Sequence, residues 1–344
     1  MTMLASALDI LRYQVLRFLN PSDGYYWAYL VGGLMFALAV MLWRRRGRRT
    51  IRARSLLPLL GSRALWFHRS TRLDLKLYLI HGVLSLTVYG LFHASSEAWR
   101  AGTISALDRL AGPAPQLYLP VWIGGIITTI VQIVALELGY WAMHYALHKV
   151  PALWEVHKVH HSAEVLTPLA EWRQHPIEII ITANVVALTN GGAYGAMEWL
   201  FGPSAHPLTL FQINALLVLH FATFLHLRHS SVWIAATGWL GRVFHSPAHH
   251  QIHHSSDPRH FNRNLGYALS IWDWAFGTLC IPEARGKVHF GVANEAPYRG
   301  LTDTLTRPLV AGAKRLRFMP RIAAIGMPEL RSEATVKTAA RAEH

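Results

Sequence analysis

The spacing of apolar and histidine residues predicts an all-α integral membrane protein of about five transmembrane helices. A cytoplasmic helical cap is expected to hold a histidine-rich di-metal site. Three observations predict this class: five long uncharged apolar segments, an arginine run directly after the first, and three histidine runs at helical spacing.

Residues 25–43 are 19 uncharged residues, about 28 Å of helix at ~1.5 Å per residue, close to a bilayer core. Residues 77–92 are shorter and include His81. Residues 117–136 are uncharged, with Pro120 near the start. Residues 179–197 carry Asn184 and Asn190, and residues 207–225 carry Gln212, Asn214 and His220. A soluble helical core could hold one such segment, whereas five argue for a bilayer. Arg44, Arg45, Arg46, Arg48, Arg49, Arg52 and Arg54 follow the first segment. Such a run stays cytoplasmic, so the N-terminus is expected outside and residues 44–76, 137–178 and 226–344 inside. That layout puts every histidine run on one side of the membrane. The first 24 residues show no apolar stretch ending in a small-residue cleavage site, so no cleavable signal peptide is expected.

Composition agrees. Hydrophobic residues make up 52% and charged residues 15% of the 344, against about 25% charged in soluble proteins. The formal charge is +14, but the basic residues flank apolar segments and match no nucleic-acid motif. Anionic lipid headgroups are the expected counter-charge. Cys280 is the only cysteine, which excludes an intrachain disulfide and a cysteine-based structural zinc site. Three regions follow: an N-terminal transmembrane region with an arginine-rich loop (1–116), a catalytic region (117–295) and a basic cytoplasmic tail (296–344), ordered to about residue 310.

Fifteen of the 21 histidines fall between residues 144 and 254. They form His144-x3-His148, His157-x2-His160-His161 and His250-x2-His253-His254. Positions i, i+3 and i+4 share a helix face, so each run points two or three imidazoles one way. Neutral imidazole suits Fe, Zn, Cu and Ni. So many imidazoles imply two metals, or one metal with spectators. Pro151 is expected to end the helix carrying Glu137, Trp141, His144 and His148. A short helix over about 152–161 carries the second run, and Ser246-Pro247 open the helix of the third. His226 and His229, i and i+3 at the end of the fifth segment, are expected to complete the ligand set. His175 and His249 are further candidates for binding or orienting. The remaining imidazole nitrogens need partners. Asp273 is the preferred one, with Glu178, Asn264, Glu171, Glu155 and Asp257 available. Trp272, Trp274 and Phe276 are candidate substrate walls or interface anchors. His68, His81, His93, His206 and His289 are expected to be structural.

Around these runs the chain resembles the fatty acid hydroxylase/sterol desaturase superfamily. The three runs match its histidine boxes. The segments HKVPALWEVHKVHHS (148–162), WRQHPIE (172–178), HSPAHHQIHHSSDPRHFNRNLG (245–266) and IWDWAFGT (271–278) resemble its further signatures, over about residues 130–295. Glu137 departs from the aspartate often found there. The resemblance implies a di-iron oxidoreductase using O2 on a membrane lipid, whether fatty-acyl, sterol-like or aminolipid. Hydroxylation is the expected outcome and desaturation the alternative. A bacterial inner membrane or an ER-like membrane is the expected location. No haem or dinucleotide motif is present, so electrons must come from an external donor protein or reductant. A non-catalytic membrane metal carrier is the competing class. It would place its ionisable residues inside the spans, whereas the histidine runs fall at or beyond span ends.

Overall fold

In the computed structural model, residues 7–44, 62–115, 117–292 and 295–318 are described. The arginine run beyond Arg44 and the tail beyond 318 lie outside them. The described residues are mostly helical: α1 (Ala7–Leu19), α2 (Trp27–Arg44), α3 (Arg69–Thr87), α4 (Ser96–Ala111), α5 (Val121–Lys149), α6 (Pro151–His161), α7 (Pro176–Phe201), α8 (Ala215–Arg228), α9 (Leu240–Val243), α10 (Pro247–His253), α11 (Ile271–Ala275) and α12 (Leu301–Phe318). Two two-residue strands, β1 (Thr209–Leu210) and β2 (Ile213–Asn214), pair antiparallel before α8.

Among the described residues, three helices, α2, α5 and α7, are long and apolar enough to cross a membrane. A fourth span arises if α3 and α4, bent by 47°, count as one. The expected fifth segment differs. Residues 207–225 form the small hairpin and the first turns of α8, whose 14 residues reach about 21 Å, short of a bilayer core. The chain before α8 is tied to α5. Leu208 N donates to Thr129 Oγ1 at 2.7 Å, and Asn214 Nδ2 donates to Thr129 O at 2.9 Å. Non-helical backbone at membrane depth needs such protein partners.

The N-terminal segment packs on the chain around the histidine runs. Arg17 lies over the Trp172 ring at 4.3 Å, Tyr25 Oη donates to Pro168 O, and Gly24 O accepts from His226. At the other end of α2, Arg44 donates to Trp233 O, four residues past His229. Both ends of α2 thus meet segments flanking the histidine clusters. The helix crosses α8 where a Cβ on Gly32 would sit 2.6 Å from Ala222 O, so only glycine allows the approach. Residues 221–225 of α8 are a π-turn, a local widening of the helix that often marks functional segments.

α4 packs along the far half of α7 through Gly191 and Gly195, beside Ser96 O and Arg100 O. The opposite end of the bundle carries the cap. There Leu73 and Leu77 of α3, Val159 of α6 and Tyr298, Leu301 and Leu305 before and within α12 form one apolar cluster. The tail is therefore ordered further than expected, α12 reaching Phe318.

Candidate metal centre

The cap is built by chain breaks that the sequence dictates. Val150 precedes Pro151, which disfavours helical backbone at Val150. Its φ of −87° and ψ of 115° end α5, and Pro151 opens α6 at its first position. The turn folds α6 back so that His157, His160 and His161 face His144 and His148. At α10 the Ser246 side chain and His249 form a reciprocal capping box, with Pro247 at the first turn. This orients His250, His253 and His254.

The imidazoles separate into two groups. His144, His148, His157, His161 and His253 form one, and His160, His229, His250 and His254 the other. Within each group one ligand nitrogen per ring lies within 4.8 Å of all the rest. In the first, His157 Nε2 lies 3.1 Å from both His144 Nε2 and His161 Nε2. In the second, His229, His250 and His254 Nε2 make a triangle of 2.9, 3.1 and 3.0 Å.

His144 Nδ1 donates to Leu265 O at 2.8 Å, and His157 Nδ1 meets Glu178 Oε1 at 2.8 Å. A neutral imidazole carries one proton, so His144 Nε2 holds a lone pair, and it faces His157 Nε2 at 3.1 Å. A cation between the rings would take up that lone pair. Donors roughly 2.1 Å from one ion stand about 3 Å apart when at right angles. His148 Nε2 and His253 Nε2 are buried without a protein partner, as a metal-directed lone pair would be. Burial, reinforced by neighbouring imidazoles, pushes His157, His160, His161, His250 and His254 well below the ordinary histidine range. Burial likewise brings His253 to about 4. All stay neutral near pH 7, the form that binds a metal. The residues fit a pair of imidazole-bound ions.

The outer nitrogens are held from several elements. His160 Nδ1 donates to Arg173 O and His253 Nδ1 to Arg263 O. His229 Nδ1 stands 2.9 Å from Glu171 Oε2, and Arg228 grips the same carboxylate with two nitrogens. Asp273, the preferred orienting carboxylate, works through the backbone instead. It accepts from Leu265 N and Gly266 N, each at 2.8 Å, and so fixes the carbonyl that His144 uses. Glu137 accepts from Tyr267 N and Ala268 N in the same loop. Asn264 Nδ2 donates to His249 O and Cys280 O and touches no clustered ring.

Nine of the ten expected ligands fall in the two groups. The tenth, His226, lies outside both. Its Nε2 donates to Gly24 O at 2.9 Å, and its ring meets Tyr25 edge-on. One turn of helix separates the chemistry of His226 from that of His229. His175 is the N-cap of α7, its Nδ1 accepting from Ile177 N and its Nε2 donating to Leu305 O. His249 serves the capping box. Glu155 pairs with Lys158 and Arg315, and Asp257 with Arg259. Sequence reasoning missed Arg228 and the carbonyls of Leu265, Arg173 and Arg263. Carbonyls leave no mark in side-chain identity, and Arg228 reads as a membrane-end cation.

A cavity of about 460 Å³ opens onto the first group. His148, His161 and His253 line it with Trp154, Phe261 and Glu295.

Residues 129–278 match the fatty acid hydroxylase family. The chain is 28% identical to the alkylglycerol monooxygenase of Danio rerio over 46% of its own length and 31% of that protein. It is 27% identical to the alkylglycerol monooxygenase of Homo sapiens over 49% and 32%. It is 29% identical to a Delta(7)-sterol-C5(6)-desaturase of Nicotiana tabacum over 47% and 52%. The match thus spans about a third of the alkylglycerol monooxygenases. No solved structure matches the chain. The histidine runs, the family match over residues 129–278 and these relatives are consistent with the fatty acid hydroxylase/sterol desaturase superfamily.

Proposed function

We propose that this chain is an O2-dependent hydroxylase of a membrane lipid, with two iron ions held by the two histidine groups. The observation that carries the reading is the convergence of ring nitrogens in each group, His144 Nε2 lying 3.1 Å from His157 Nε2 and the His229, His250 and His254 Nε2 atoms 2.9–3.1 Å apart. Bound iron would supply activation of dioxygen and the two-electron oxidation of a C–H bond. The chain's own residues do the rest. His144, His148, His157, His161 and His253 would hold one ion, and His160, His229, His250 and His254 the other. Glu178, Glu171 and the loop fixed by Asp273 keep ring nitrogens aimed inward. Burial keeps the imidazoles neutral, with one ring nitrogen free to bind a metal.

The aromatic cavity beside His148, His161 and His253 is the access we assign to the reacting carbon. Electrons would come from a separate donor, and the basic cap suits an acidic carrier. Residues 117–295 would be the catalytic region, 1–116 the membrane and arginine-rich region, and 296–344 the tail. The arginines at 44–54 favour a cytoplasmic metal site, in a bacterial inner membrane or an ER-like one. The contacts of α1 and α2 favour an N-terminus on that same side.

Desaturation is the second reading, favoured by the sterol desaturase among the relatives. Labelled dioxygen separates the two. Cells expressing the chain under 18O2 are expected to gain a lipid heavier by one labelled oxygen. A product two hydrogens lighter and unlabelled would select desaturation. An unchanged lipid profile in aerobic, iron-replete cells would favour a metal carrier.

A further inference from the structure

We propose that the exposed aromatic face of α9 and α11 is a ledge embedded in the lipid surface beside α5. The inference rests on reading α5 as a membrane span. Trp239 is 69% exposed, Leu240 52%, Phe244 45%, Trp274 56% and Phe276 54%. They are contiguous. Ser270 N donates to Val243 O, Phe244 bridges Leu269, and the Arg242 guanidinium lies 5.4 Å over the Trp274 ring. Five large apolar side chains in one patch are costly to leave in water, and such patches mark a partner.

The partner that fits is the lipid of the leaflet on the metal side. Trp272 Nε1 donates to Val134 O at 3.0 Å, and Phe276 stacks on Trp141 at 4.4 Å. Val134 lies 13 residues into α5, about 20 Å along it, inside its uncharged stretch. The ledge therefore abuts the apolar part of a span rather than the aqueous cap. Its composition is that of an interface: indole and phenyl bodies with one arginine and, on the same flank of α5, Lys149 over Tyr145. Aromatics with snorkelling cations settle at the headgroup level. Position also ties the ledge to the metal centre. Asp273, between Trp272 and Trp274, fixes the Leu265 carbonyl that takes the His144 proton. A lipid lying against α11 is thus two side chains from the first histidine group.

Cys280 is the only cysteine, which allows a direct test. In a Cys280→Ser background, single cysteines replace Trp239, Phe244 or Trp274, and Ile130 on the outer face of α5 as a span control. The full-length, metal-loaded protein carries an NBD label in vesicles of phosphatidylcholine and phosphatidylglycerol. Expected for all four positions are blue-shifted emission, quenching by spin-labelled lipids and loss of quenching by iodide. Iodide quenching at the three ledge positions, with Ile130 still quenched by lipid, would overturn the ledge alone. Shielding of the ledge from both quenchers would assign it to a second copy of the chain and equally overturn the proposal. Iodide quenching at Ile130 would remove the span reading itself. Trp239 and Phe244 lie away from Asp273, so they report even if Trp274→Cys disturbs the fold.

Discussion

The two histidine groups are made from the same runs yet are set in different surroundings. The five-histidine group draws on α5, α6 and α10 and faces the cavity through His148, His161 and His253. The four-histidine group takes His160 from α6, His229 from beyond α8 and His250 and His254 from the end of α10. It is closed in by protein, and its His229 is backed by a buried ion pair, Glu171 with Arg228. One group is open and held mainly by carbonyls and Glu178. The other is sealed, its His160 held by the Arg173 carbonyl and its His229 by the Glu171 carboxylate. Metal sites that react keep an accessible face, while sites that hold structure are closed. On the proposed function, the open group would meet substrate and the sealed group would anchor the pair.

The largest expected effect tests that division. His157→Ala removes the ring that contacts two partners in the open group, and His229→Ala removes one corner of the closed triangle. Each is expected to abolish activity. Elemental analysis of anaerobically purified protein should fall from two irons per chain toward one in either variant. Loss of both irons from His229→Ala but only one from His157→Ala would sharpen the comparison, making the closed group the foundation. Two irons retained in both variants would break it.

The carboxylates come next. Glu178→Gln keeps a neutral acceptor beside His157 Nδ1. A change of this kind costs roughly 10–100-fold in metal affinity or activity. Glu171→Gln does more, because it also leaves Arg228 as a buried cation without its partner. Breaking such a pair costs about 3–5 kcal/mol. Thermal melting should therefore drop clearly for Glu171→Gln and little for Glu178→Gln, while both lower iron retention. Equal melting temperatures would show that charge does not distinguish the two surroundings.

Much of this was legible in the residues, for definite reasons. The i, i+3 and i+4 spacing of His157, His160 and His161 forces one helix face, and Val150-Pro151 forces the fold-back. Ser246-Pro247 announced α10. The division into two groups was not legible. His160 leaves its own run to join His229, and His253 leaves its run to join His144, because successive ring directions on one helix differ by about 100° per residue. Nor was the N-terminal layout legible. Residues 25–43 read as a span by length and hydropathy, but the contacts of Gly24 with His226, Gly32 with Ala222 and Arg44 with Trp233 could not be read from them. A reporter fused to the N-terminus is expected to read the same side as one near residue 165.

A smaller effect is expected at the cavity. Trp154 meets the rings of His148 and His161 at 5.2 and 5.4 Å and walls the open group. Trp154→Leu should leave iron content at two and change KM for a bulky lipid more than kcat. An equal loss of kcat and kcat/KM would instead mean that the indole supports the transition state itself.

The smallest effect is expected at His226, and it separates ligand from neighbour. Its spacing from His229 argued for a shared metal. Its ring instead donates to Gly24 O and packs on Tyr25, fastening the start of α2 to the end of α8. His226→Gln retains a donor of similar reach. It should cost at most about one hydrogen bond, roughly 1 kcal/mol, seen as a small drop in melting temperature. Iron content and the rate of lipid oxidation should stay near those of the unchanged protein. An iron loss comparable to His229→Ala would return His226 to the ligand set and enlarge the closed group to five. The two groups would then have equal donor numbers and differ in access and in the Glu171–Arg228 pair behind His229.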